Sequence, residues 1–338
     1  MALISKKKVP YEISPFLREF LQKYDREIEI PLHYNDLTRY VGAVSLYDRN
    51  GKDTLWLSVF YLESDRNYIY NSLKKIYASL KVDGDLSILE HLYVDRIDIC
   101  TYGNTRPFRV RIVNKINDNF DYFYVKTADA SRIYGLELED LLSPNRVRYL
   151  VYKSSLIEEH IAGVPGDQFM REYINEETNK IRLAKEFIKF NERCFVRLLG
   201  DMHSSNFVVD ITPDFEEIHY RIRAIDFDQQ SYESRKAVYM PQYFKQNNDI
   251  LKIGFEILTH ESVRQYQQEE RSLIANRVRT ARVVLKDLLE TMMKDRLAPE
   301  QHIVQLREEL AEHYKSNKFL SCRNMGEILR QSLLLLFH

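Results

Sequence analysis

A chain of 338 residues is long enough for two compact units, each with its own core. Hydrophobic residues at 44% and charged residues at 29% describe a globular protein and exclude a disordered one. With 49 basic against 50 acidic residues, net −1, the chain has no overall positive field to attract nucleic acid or a membrane surface, and neither partner is expected.

The three cysteines, Cys100, Cys194 and Cys322, are far apart and odd in number, which predicts reduced, buried thiols and a cytoplasmic setting. The opening Met1 to Pro10 lacks the apolar stretch of a signal peptide, and no segment approaches the ~20 apolar residues of a membrane span.

In chain order, Val41 to Tyr47 and Thr54 to Leu62 read as two strands joined through Asn50-Gly51, residues that tolerate positive φ and so favour a hairpin. Tyr68, Ile69, Leu73, Ile76, Tyr77 and Leu80 lie at helical spacing and predict an amphipathic helix over 65–80. Short strands are predicted at 91–94 and 97–100. Phe108 to Val113 alternates apolar with basic residues as a half-exposed strand does, and Asp121 to Lys126 follows after a polar loop. A helix is expected from Ser131, read as its N-cap, to the stop at Ser143-Pro144. Tyr149 to Ile161 reads as one further strand. Gly163, Pro165 and Gly166 then make the segment after it the best hinge candidate in the chain.

Beyond Asp167 the pattern is helix-rich except around two carboxylate motifs. Gly200-Asp201-Met202-His203-Ser204-Ser205-Asn206-Phe207 follows Cys194 to Leu199, read as strand-like. Ile225-Asp226-Phe227-Asp228 follows the strand-like Tyr220 to Ile225. Strands near 206–211 and 218–225 form a hairpin around Pro213, and 248–338 is helical with a break near Pro299. An isolated Asp-x4-Asn is commonly a loop that caps its own backbone. Followed by a second Asp at the end of an apolar strand, it becomes the set that phosphoryl transfer requires. One Asp receives the acceptor's proton, while an Asn and another Asp hold the magnesium on the phosphates.

On these residues, 195–228 resembles the catalytic region of the protein-kinase-like superfamily, in its aminoglycoside and choline phosphotransferase branch. Gly200, Asp201, His203, Asn206, Ile225, Asp226, Phe227 and Asp228 match the motif, whereas Leu199 stands where that branch has a loop-bracing His. The resemblance covers about 90–228. It implies Asp201 as catalytic base, Asn206 and Asp226 as magnesium ligands, and His203 as support for the loop. Asp228 would be a ligand to a second metal ion, or else a cap on the next turn or the partner of a nearby arginine.

The same resemblance implies Lys126 on the α- and β-phosphates of ATP. Its partner would be a helix glutamate, Glu139 in preference to Glu137. The stretch Glu158 to Ile161 would read adenine through main-chain groups of Glu159 and Ile161. The phosphate-covering loop would lie at Gly103, and Arg235, Lys236 and 239–243 would face the substrate.

The implied fold is α+β: a kinase-like pair of lobes with the ligand between them. Residues 1–90 would form an N-terminal extension, a hairpin plus a helix packing on the smaller lobe, with 91–161 that smaller antiparallel-sheet lobe and 162–338 a larger helix-rich lobe. The implied function is ATP- and magnesium-dependent phosphotransfer to an unidentified hydroxyl acceptor, a small molecule in preference to a protein. The alternative is a pseudokinase, a nucleotide-binding or scaffold protein without transfer activity.

Overall fold

The computed structural model describes residues 8–48, 50–81, 84–101, 105–214 and 218–337. Gly103, the expected phosphate-loop glycine, lies outside them. The protein is α+β and divides into two compact units. One comprises residues 12–129 and 147–160, and the other comprises 130–146 and 161–337 together with 8–11.

The first unit is built on a seven-stranded, wholly antiparallel sheet. Its elements are α1 (Pro15–Lys23), α2 (Tyr34–Leu37), β1 (Gly42–Tyr47), β2 (Asp53–Phe60), α3 (Glu63–Lys81), β3 (Leu92–Cys100), β4 (Phe108–Asn114), β5 (Phe120–Thr127), β6 (Tyr149–Tyr152) and β7 (Ser155–Glu159). The strand order is β1-β2-β3-β4-β5-β7-β6. The expected hairpin is β1–β2, with Gly42 opposite Phe60 and Gly51 at φ +76° in its turn.

The two short strands expected over 91–100 are one strand, β3, because a bulge between Val94 and Arg96 interrupts its alternation and leaves the pairing with β4 continuous. The single strand expected over 149–161 is instead the hairpin β6–β7. It turns at Lys153 with φ +52°, where no glycine marks the reversal.

The helix α3 buries Ile69, Leu73, Ile76 and Leu80 in one cluster with Ile97, Val110, Phe123, Val125 and Ile157 of the sheet. Each such side chain contributes roughly 1.5–3 kcal/mol. Residues expected to form an extension over 1–90 thus supply β1 and β2 to the sheet and α3 to its core.

The second unit is mainly helical: α4 (Ala130–Leu142), β8 (Val164–Pro165), α5 (Gly166–Glu172), α6 (Lys180–Arg197), β9 (Phe207–Pro213), β10 (Ile218–Ala224), α7 (Asn248–Ile257), α8 (His260–Thr280), α9 (Arg282–Lys294), α10 (Glu300–Tyr314) and α11 (Met325–Leu334). A three-stranded sheet, β10-β9-β8, carries the expected hairpin, with Ala224 opposite Phe207. The helix α4 begins at Ala130, so Ser131 sits inside its first turn and does not cap it.

Cys194 to Leu199, expected as a strand, is the last turn of α6 and its exit. The buried Leu183, Phe187, Phe190 and Cys194 keep helical spacing up to Leu198, which ends the helix at φ +55°. Gly163 and Gly166, expected as hinge residues, are close-approach positions against β9. A Cβ on Gly166 would lie 2.4 Å from the Phe207 ring and 2.6 Å from the Ser204 carbonyl oxygen, and one on Gly163 would lie 2.8 Å from Val208.

Buried ion pairs lock these helices together. Arg197 of α6 pairs with Glu139 of α4, and Arg193 of α6 with Glu270 of α8. The three cysteines are free and buried, and among the described residues no helix is long and apolar enough to cross a membrane.

Candidate active site

The site is assembled where α6 ends and β9 begins. After Leu198 the chain pairs Leu199 with Gln230 as an isolated bridge, and the Gly200 N–H donates to the Gln229 carbonyl at 3.2 Å. The Asp201 N–H donates to the Val238 carbonyl at 3.1 Å. Asp201 sits at φ +64°, a left-handed conformation that Asp and Asn tolerate better than other side chains and that recurs at functional turns. Main-chain pairing around Leu199 therefore braces the loop.

His203 and Asn206 close the loop from inside. The His203 N–H donates to the Asp201 carbonyl at 2.9 Å, and the Asn206 N–H to the His203 carbonyl at 2.8 Å. His203 Nδ1 accepts from the Ser205 N–H at 3.3 Å, which puts the ring proton on Nε2, 3.9 Å from Asp201 Oδ1. Burial lowers the His203 pKa against the opposing pull of Asp226 and Asp167, so the ring is neutral near pH 7. Asn206 Nδ2 donates to the Asp201 carbonyl at 2.8 Å and approaches Asp201 Oδ2 at 3.5 Å. Asn247, buried and not singled out in the sequence, ties the loop to the following segment through Nδ2 bonds to the Met202 and Pro241 carbonyls.

The second motif joins the first through the main chain, the Ile225 N–H donating to the Asn206 carbonyl at 3.0 Å. Its carboxylates meet a residue that the sequence reading missed. Arg132, in the first turn of α4 with a side chain only 3% exposed, donates from Nη1 to Asp226 Oδ1 at 2.8 Å and to Asp228 Oδ1 at 2.9 Å. Its Nη2 reaches the Ile225 carbonyl at 3.2 Å. Asp228 is thus the partner of this arginine, and its main-chain N–H donates in turn to Asp226 Oδ1 at 3.0 Å. Asp228 is nearly buried, whereas the Asp226 side chain is 36% exposed.

The cluster perturbs Asp201 most. Burial pushes its carboxyl up to about 7, and the negative charges of Asp226, Glu233 and Asp228 add to the effect. A carboxyl titrating near neutrality has the proton affinity expected of a general base at physiological pH.

Among the described residues no set of three or more His, Cys, Asp and Glu side chains forms a metal cage. A divalent ion here would complete its shell with water and phosphate oxygens, as magnesium commonly does. The residues present fit one such ion. Asn206 commits its amide nitrogen to Asp201 and so presents its carbonyl oxygen away from that loop carbonyl, and Asp226 is a hard, solvent-facing oxygen donor.

The remaining expected residues have other geometries. In the sheet unit, Lys126 of β5 lies opposite Leu156, and its Nζ donates to Glu158 Oε2 at 2.7 Å on the neighbouring strand. These are diagonal neighbours on one face of the sheet, with both side chains buried. Glu139, expected as the partner of Lys126, is held instead by Arg197 and by Asn145 Nδ2 in the helical unit. Glu159 sends its main-chain N–H to the Arg148 carbonyl, and its carboxylate takes Arg148 N and Lys81 Nζ. Ile161 is a buried residue of the helical unit.

No protein-family model matches this chain, and no curated protein sequence matches it. Among solved structures it is similar to the autoinhibited serine kinase domain of the giant muscle protein titin, at 10% identity and TM-score 0.32, covering 72% of this chain and 92% of that one. It is also similar to titin kinase with its flanking domains, at 12% identity and TM-score 0.31, covering 72% of this chain and 54% of that one.

Proposed function

We propose that this protein is an ATP- and magnesium-dependent phosphotransferase that acts on a hydroxyl acceptor, a small molecule in preference to a protein. The observation that carries the reading is Asp201: a left-handed loop carboxyl, raised to about 7, and bonded through its own carbonyl to Asn206. In this role Asp201 orients the acceptor O–H and takes its proton as the oxygen attacks the terminal phosphorus of ATP and ADP departs. Asn206 fixes the carbonyl of Asp201 and offers its amide oxygen, with an Asp226 oxygen, to the divalent ion. Magnesium bound there with ATP would supply charge neutralisation on the phosphates. His203, neutral, holds the turn between Asp201 and Asn206, and Lys126 in the sheet unit is the proposed phosphate-binding cation.

The second reading is a nucleotide-binding protein without transfer activity, and the hold of Arg132 on Asp226 favours it. The separating experiment is a thermal shift with ATP and magnesium run beside radiolabelled phosphate transfer, on the parent and on Asp201→Asn. Phosphotransfer predicts a turnover loss of about 10²–10⁴-fold in Asp201→Asn, with stabilisation by ATP retained. Undiminished turnover in that variant rejects Asp201 as the base. A parent that binds ATP and transfers phosphate to no acceptor, water included, establishes the second reading.

A further inference from the structure

We infer that Arg132 is a built-in cation standing where a second divalent ion would bridge Asp226 and Asp228, which makes Asp228 a positioning residue and limits the site to one exchangeable ion. The inference rests on the reading of Asn206 and Asp226 as the divalent-ion site.

Two carboxylates brought to one point need a positive charge between them, because their like charges repel and Asp228 is nearly buried. A single guanidinium nitrogen meets that need here, bonding Asp226 Oδ1 at 2.8 Å and Asp228 Oδ1 at 2.9 Å. Arginine stays protonated under all ordinary conditions, so this charge is permanent. A metal ion at the Asp228 oxygen would sit against it.

The guanidinium is also fixed in place. Its Nη2 is tied to the Ile225 carbonyl, and its Cζ lies 5.9 Å from the Phe227 ring centre. The helix that carries it abuts that same ring, since a Cβ on Gly135 would lie 3.3 Å from Phe227 Cδ1. The helix is pinned further along by the buried Glu139–Arg197 pair. Arg132 therefore has little freedom to swing aside for an incoming ion.

The test counts manganese bound to the full-length chain by electron paramagnetic resonance, with a non-hydrolysable ATP analogue present. Arg132→Gln should bind one ion more than the parent, and the added ion should vanish in the double variant with Asp228→Asn. In the parent background Asp228→Asn should leave the count unchanged, with affinity weakened by no more than about 100-fold, as for a residue acting through another. Equal counts in the parent and Arg132→Gln overturn the inference. Loss of the parent's ion in Asp228→Asn also overturns it, and that arm decides the matter if Arg132→Gln does not fold. A parent that binds no manganese rejects the Asn206 and Asp226 site, while the difference between parent and Arg132→Gln still decides the role of Arg132.

Discussion

The side-chain amide of Asn206 donates to the main-chain carbonyl of Asp201 at 2.8 Å, so the proposed base and the proposed metal ligand are parts of one closed loop. A bond at the nitrogen end of the amide fixes where its oxygen end points. One residue thereby serves the shape of the loop and the chemistry of the site, and the two services can be separated by substitution.

Asn206→Asp keeps an oxygen ligand and loses the donor, whereas Asn206→Leu loses both. Each should cost about 1–3 kcal/mol of stability in urea unfolding, because the loop bond is lost in both. Divalent-ion affinity, followed by manganese titration, should survive in Asn206→Asp and disappear in Asn206→Leu. Equal affinities in the two variants would remove Asn206 from the ligand set and leave it a structural residue.

The raised pKa of Asp201 makes a signed prediction for stability. A carboxyl whose pKa is about 7 folded and 3.8 unfolded binds its proton more tightly in the folded state. Its contribution is complete below the unfolded value and is lost as pH rises through the folded one. Asp201→Asn, which cannot ionise, should therefore gain on the parent between pH 5 and pH 8 by about 3 kcal/mol in the ligand-free protein. A gap that is the same at both pH values would show that Asp201 titrates as an ordinary surface carboxyl.

Local signals in the sequence were sufficient for most elements. The Asn-Gly turn and the alternation on either side of it specify β1–β2, and the 3.6-residue spacing specifies α3. The pair of strands that brings the two carboxylate motifs together is legible for the same reason. What the sequence did not disclose depends on tertiary partners. Lys153 turns a hairpin without glycine, and helical burial continues through Cys194 where β-branched and aromatic residues suggest a strand. Arg132 and Glu139 are charged residues on a helix buried on nearly all sides, and no periodicity says which charge each will meet. Arg132 finds the motif 94 residues further on, and Arg197 claims the glutamate expected for Lys126.

That claim has a stability consequence. Burial alone would raise the pKa of Glu139, but the Arg197 guanidinium, together with a hydrogen bond from Ser143 and the charge of Arg193, outweighs it and holds the pKa below the usual carboxylate value. Glu139→Gln leaves Arg197, 1% exposed, without its counter-charge, and should destabilise by about 3–5 kcal/mol at pH 7. Because the folded-state pKa is depressed, this stabilisation is present above the unfolded value and fades as pH falls through the folded one. The difference between parent and variant in urea midpoint should therefore shrink towards low pH. A variant as stable as the parent at pH 7 would mean that the pair offsets no more than its own desolvation.

Lys126 offers the clearest separation of a structural from a nucleotide-binding role. Its ammonium lies 2.7 Å from Glu158 Oε2, and both residues are buried in the sheet unit. Lys126→Met leaves a buried carboxylate without that partner, so it should lower stability by a few kcal/mol whatever else the lysine does. Adding Glu158→Gln removes the stranded charge and should recover much of that loss. Nucleotide binding should respond differently. If the lysine contacts phosphate, the double variant regains its melting temperature in buffer yet gains no further stabilisation from ATP and magnesium. Recovery of both would assign Lys126 to the sheet alone, and the proposed phosphate contact would fall while the Asp201 and Asn206 loop stood unaffected.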